Sequence, residues 1–107
     1  DVEGKNVILI DDMIDTAGTI TKAVEALFEA GAKDVIIAAT HAVFSGPAVE
    51  RLRDSRAVEI VVTDSLPLSE DQKFDKLTVL SIAPLLARAI REVFEDGSVT
   101  SLFDGHS

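Results

Sequence analysis

Apolar residues in this chain gather in short runs divided by polar stretches, and two kinds of spacing alternate. Val7-Ile8-Leu9-Ile10 is a four-residue apolar run that ends at two aspartates. Its β-branched content and polar bounds predict a strand buried on both faces. Asp11 to Thr19 is polar with one glycine and reads as a loop. Ile20, Val24, Leu27 and Phe28 then recur at helical spacing. Gly31, after Ala30, supplies a left-handed stop for that helix. Val35-Ile36-Ile37-Ala38-Ala39 predicts a second buried strand. Strand, helix, strand makes a βαβ unit, a crossover that is right-handed in nearly all cases.

The alternation continues. Pro47 sits where a helix can start, and Val49 and Leu52 give it a short apolar side. Glu59-Ile60-Val61-Val62-Thr63 predicts a third strand, Asp64 to Lys76 a charged loop, and Leu77-Thr78-Val79-Leu80 a fourth strand. Ser81 can cap a last helix whose first turn tolerates Pro84. Leu86, Ile90, Val93 and Phe94 line one face of it, and Gly97 ends it. The expected class is α/β: a parallel sheet with flanking helices, its strands near residues 6–10, 35–39, 59–63 and 77–80. Phe28, Phe44 and Phe94 are expected in the core or in subunit contacts.

The chain has 107 residues, enough for one domain at most. Hydrophobic residues make up 47%, which excludes disorder by composition. No apolar run reaches the ~18 residues of a membrane span. Cysteine is absent, which removes disulfides, thiolate nucleophiles and zinc–sulfur sites and fits a cytoplasmic protein. Ten Lys and Arg stand against nineteen Asp and Glu, a net charge of -9, which argues against nucleic acid as a partner. The chain opens Asp1-Val2-Glu3-Gly4 without an initiator Met, and a strand follows almost at once, as expected of a piece of a longer protein.

In open parallel sheets, ligands bind beyond the carboxyl ends of the strands. The first such segment runs from Asp11 and Asp12 to Asp15-Thr16-Ala17-Gly18-Thr19 and opens directly into a helix. Small side chains let a phosphate approach backbone N–H groups, the helix N-terminus adds partial positive charge, and Thr16 and Thr19 offer hydroxyls. No Lys or Arg lies between Lys5 and Lys22, so the expected phosphate ligands are amides and hydroxyls. Asp11 and Asp12 are acceptors only, suited to vicinal sugar hydroxyls or to Mg²⁺, directly or through water. Each piece also has a plain structural reading: an acidic pair can be a solvated turn, and Asp15 and Thr16 can be helix caps. The ordered whole favours a sugar phosphate. His41, beyond the second strand, is expected to make a loop hydrogen bond more readily than a metal or substrate contact.

The segment from Val7 to Ile20 resembles the phosphoribosyl-pyrophosphate (PRPP) loop of the type I phosphoribosyltransferase superfamily. Within it, the chain resembles the ribose-phosphate pyrophosphokinases. That resemblance lies in Ala39-Thr40-His41-Ala42-Val43-Phe44-Ser45-Gly46-Pro47-Ala48, Val62-Thr63-Asp64-Ser65-Leu66-Pro67, Leu80-Ser81-Ile82-Ala83-Pro84-Leu85-Leu86-Ala87 and Gly97-Ser98-Val99-Thr100-Ser101-Leu102-Phe103. Two departures are Ala42 after His41, where the family usually has Gly, and Asp64 in place of a frequent Asn.

The resemblance implies that residues 1–107 are the C-terminal part of a phosphoribosyltransferase-like domain. It implies transfer of the β,γ-pyrophosphate of ATP to O1 of ribose 5-phosphate, with Mg²⁺, to give PRPP for nucleotide biosynthesis. Asp11 and Asp12 would receive the ribose hydroxyls, and Asp15, Thr16, Ala17, Gly18 and Thr19 would grip the 5-phosphate. Ser98, Thr100 and Phe103 would help form an allosteric ADP/phosphate site. The catalytic Lys and Arg, and the ATP-contacting residues, would lie upstream, so the chain alone is expected to be inactive. A homo-oligomer, a hexamer in this family, and a cytoplasmic location are also implied. Two alternatives stand beside this reading: a phosphoribosyltransferase that consumes PRPP, and a non-catalytic synthetase-associated subunit. The Ser45-Gly46-Pro47-Ala48 and Ser98–Phe103 segments argue against the first.

Overall fold

The computed structural model describes residues 1–94. Strands β1 (Asn6–Ile14), β2 (Asp34–Ala42), β3 (Glu59–Thr63) and β4 (Leu77–Leu80) alternate with helices α1 (Gly18–Glu29), α2 (Ala48–Asp54) and α3 (Ala83–Phe94). A 3-10 turn, Glu70–Gln72, interrupts the connection from β3 to β4. The four strands form one parallel sheet in the order β1-β2-β3-β4.

The core lies where α1 and α2 meet one face of this sheet. Val35, Ile37, Ile60 and Val62 on the strands, Val24 on α1 and Leu52 on α2 are fully buried. Ile20, Leu27 and Phe28 pack against them, so the helical spacing identified the buried side of α1. Gly31 ends the α1 connection at φ +98, a conformation L side chains rarely adopt. A Cβ there would also stand 3.0 Å from Cγ of Glu3, and the Gly31 carbonyl accepts from Gly4 N at 2.8 Å.

Three expectations need correction. First, β1 is not buried on both faces: it is an edge of the sheet, with Ile8 59% and Ile10 82% exposed. An apolar run records that a strand can be covered, not that the described residues supply the cover. Secondly, β1 does not stop at Ile10, nor β2 at Ala39. Their parallel pairing continues through Met13↔His41 and Ile14↔Ala42, so Asp11 and Asp12 belong to the strand. The backbone ladder carries on regardless of side-chain polarity. Thirdly, Leu86, Ile90 and Val93 share one side of α3 as the spacing predicts, but that side is exposed. The start of α3 follows the expected chemistry: Ala83 N donates to Ser81 Oγ at 3.3 Å and Ile82 N to Asp64 Oδ1 at 3.0 Å. An Asn at position 64 would present the same acceptor. Phe44 is buried, its ring 6.4 Å from that of Phe74, and Phe28 is partly buried with the Arg56 guanidinium 4.3 Å above it. The Phe94 side chain lies outside the described residues.

Candidate phosphate-binding loop

The loop between β1 and α1 is shorter than its polarity suggests: Asp15, Thr16 and Ala17. The segment after β2 holds it in place. Val43 N and Phe44 N both donate to the Ile14 carbonyl, at 3.0 and 3.1 Å, and Ser45 N donates to the Asp15 carbonyl at 2.8 Å. Phe44 reaches these acceptors with a left-handed backbone, φ 52. The unusual angle falls there rather than at Ala42, which is an ordinary strand residue despite replacing the family's Gly.

Ala17 turns strand into helix. It takes φ 66 and ψ 9, and only 5% of its surface is exposed. Neither Asp15 nor Thr16 caps the helix: α1 has no side-chain cap, so the plain capping reading of these residues fails. Thr21 N donates to the Ala17 carbonyl at 3.1 Å, and Thr21 Oγ1 reaches the same oxygen at 2.6 Å. The amides ahead of Thr21 lack intrahelical acceptors, as at any helix start. Here they open onto a cavity of about 320 Å³ lined by Asp11 and residues 13–20. That volume suits a small molecule. Asp15, Thr16 and Thr19 are exposed around it.

The acidic pair divides between two surroundings. Asp11 lines the loop cavity, and its Oδ1 accepts from Asp12 N at 2.7 Å. Asp12 faces His41 instead, with Oδ1 3.9 Å from Nε2. His41 Nδ1 lies 2.8 Å from Ser65 Oγ, which bears out the expected loop hydrogen bond. Among the described residues, no group of three His, Asp or Glu side chains is placed to hold a metal ion. Ser98, Thr100 and Phe103 lie outside the described residues.

One neighbour of the loop escapes linear reading. The stretch from Lys5 to Lys22 is free of cations, but Arg51 of α2 reaches the loop: its Nη1 donates to the Thr16 carbonyl at 3.1 Å. Only the packing of α2 beside α1 brings it there. The arginine contacts the loop's backbone, a neighbour that the order of residues along the chain does not show.

A family model described as the phosphoribosyl synthetase-associated domain matches residues 1–104. The chain belongs to this family. It is 62% identical over 104 residues to a ribose-phosphate pyrophosphokinase of Streptomyces coelicolor, covering 97% of this chain and 32% of that one. Against the ribose-phosphate pyrophosphokinase of Mycobacterium tuberculosis it is 63% identical over 105 residues, 98% of this chain and 32% of the relative. The crystal structure of phosphoribosylpyrophosphate synthetase from Mycobacterium smegmatis superposes with a TM-score of 0.84 at 64% identity. That superposition covers 91% of this chain and 33% of the other. The phosphoribosyl synthetase-associated chain thus spans about a third of the length of the curated relatives it matches. Its parallel α/β sheet is the fold of that solved neighbour.

Proposed function

We propose that this chain is the ribose-5-phosphate-binding part of a ribose-phosphate pyrophosphokinase. One observation carries the reading: the uncapped start of α1, approached through left-handed Ala17 at the carboxyl edge of a parallel sheet, opens onto the cavity that Asp11 borders. Free amides suit the 5-phosphate and a carboxylate suits sugar hydroxyls. The names of the relatives supply the reaction class.

In that reaction the O1 hydroxyl of ribose 5-phosphate attacks the β-phosphorus of ATP. The bond to the α-phosphoryl oxygen breaks, AMP leaves, and the hydroxyl proton is lost to solvent or a base. No protein nucleophile is needed. The described residues contribute position: amides and hydroxyls of Thr16 to Thr19 on the phosphate, Asp11 on the ring hydroxyls, with Asp12 behind it. Mg²⁺ fits this donor set in one way. Asp11 borders the loop cavity while Asp12 stands 3.9 Å from His41, so Asp11 alone would face the ion, and one carboxylate plus water and substrate phosphate oxygens is a usual Mg²⁺ environment. When bound, the ion offsets the negative charge of the triphosphate. We further propose the cytoplasm as location, ADP and phosphate as effectors acting through Ser98, Thr100 and Phe103, and a hexameric assembly.

The test is incubation of the full-length protein with ATP, ribose 5-phosphate and Mg²⁺, followed by phosphorus NMR. PRPP and AMP are expected in equal amounts. Consumption of PRPP with a nucleobase would instead make it a phosphoribosyltransferase. Ribose 5-phosphate binding without turnover would make it a non-catalytic subunit.

A further inference from the structure

Arg51 and Thr16 are 35 positions apart, yet the Arg51 guanidinium touches the loop on both sides of Ala17. Its Nη1 donates to the Thr16 carbonyl at 3.1 Å, and the same nitrogen stands 3.0 Å from the place a Cβ on Gly18 would occupy. Arg51 is itself exposed, so core packing does not require it there. Among the described residues it pairs with no carboxylate: the ion pairs use His41, Arg53, Arg56 and Lys73.

We propose that Arg51 is a positioning residue for the anion at this loop, and that Gly18 lacks a side chain in order to admit it. The inference deepens the reading above and rests on it. A trans peptide points its carbonyl and its N–H in opposite directions. Fixing the Thr16 carbonyl on the guanidinium therefore fixes the Ala17 N–H on the other side. Ala17 needs such support, because a left-handed alanine persists only where its surroundings over-determine it. The guanidinium is always charged, and among the described residues no carboxylate pairs with it. Its field favours an anion over a neutral sugar, which supplies the positive charge that the loop's own sequence lacks. A methyl at Gly18 would press on Nη1, the far end of a long side chain, and shift it off the Thr16 carbonyl rather than disrupt the fold.

The experiment measures binding of ribose 5-phosphate, inorganic phosphate and ATP to the full-length protein by calorimetry. The variants are Arg51→Ala, Arg51→Lys, Gly18→Ala, the Gly18→Ala/Arg51→Ala pair, and Thr19→Val as a reference. Arg51→Ala is expected to weaken ribose 5-phosphate and phosphate by about tenfold, the loss of one charge-assisted hydrogen bond. ATP affinity should not change, and the thermal midpoint should fall only slightly, since left-handed Ala17 loses one of several supports. Arg51→Lys should recover part of the loss, since it keeps the charge without the planar fork. Gly18→Ala should weaken phosphate binding alone but add little in the Arg51→Ala background. If Thr19→Val weakens both anions and Arg51→Ala leaves them within about twofold, Arg51 has no such role while the phosphate-loop reading stands. If Thr19→Val is also silent, both fall together. Fully additive losses at Gly18 and Arg51 would overturn the link between them.

Discussion

Asp11 and Asp12 are neighbours on one strand, yet their side chains meet different surroundings. Asp11 borders the loop cavity, whereas Asp12 turns to His41 at 3.9 Å. Read as a loop, the pair is interchangeable; read as strand, it is not. The hydroxyl of Thr19 sits on the first turn of α1, beside the free amides. A hydrogen bond to a charged group contributes about 1.5–3 kcal/mol, so Thr19→Val should weaken ribose 5-phosphate binding roughly 10- to 150-fold. Inorganic phosphate should suffer with it. Asp11→Asn should impair the sugar phosphate far more than the bare anion, and Asp12→Asn should do less than Asp11→Asn. Calorimetric titration of full-length variants with the two ligands decides this. Equal losses for Thr19→Val and Asp11→Asn on both ligands would show that the loop does not divide its work between sugar and phosphate.

At the scale of elements, β3 and β4 begin and end where the sequence predicts, whereas β1 and β2 run on past their predicted ends into polar sequence. What ties the elements together is also polar. Lys76, just before β4, donates through Nζ to the Ser55 carbonyl at 2.7 Å and the Ala57 carbonyl at 3.1 Å, bracing the turn that ends α2. Desolvation lowers its pKa from the ordinary 10.5, with the charge of Asp54 opposing in part. A lowered value means that folding disfavours the charged form relative to the unfolded chain. This contribution to stability is therefore least at low pH. It grows as pH climbs through the lowered folded value and levels off above 10.5. Lys76→Met should remove that rise, and at neutral pH should cost about 1–3 kcal/mol because two carbonyls lose their donor. Urea unfolding of the full-length protein as a function of pH checks both. A Lys76→Met protein whose stability keeps the same upward slope toward 10.5 would assign the titration to another group.

Across the whole molecule, one face of the sheet is packed and the other is open. Ile8, Ile10 and Leu80 are exposed on it, and an apolar hollow of about 250 Å³ runs past Ile10, Ala38, Val61 and Leu80. Leu86, Ile90 and Val93 of α3 are exposed as well. Soluble monomers rarely show apolar surface of this kind. The 107 residues on their own should therefore bind a hydrophobic dye and self-associate in sedimentation experiments, and should form no PRPP from ATP and ribose 5-phosphate. A monodisperse, dye-silent and active 107-residue chain would sink that prediction.

The sequence by itself determined the parallel α/β order, the buried side of α1 and the short connection that forms the candidate phosphate loop. Each depends on local spacing or local backbone preference: period two, period 3.6, a glycine at φ +98. The tertiary structure decided the rest. Among the described residues it left β1 at the sheet edge, because which strands lie side by side is settled by contacts between segments far apart in the chain. It drew Asp11 and Asp12 into the strand, because His41 and Ala42 continue the ladder beside them. It set the left-handed turn on Ala17, where a buried methyl and the Thr21 hydroxyl hold it. It also gave the loop a cation from position 51, since charge acts through space and the sequence records only order.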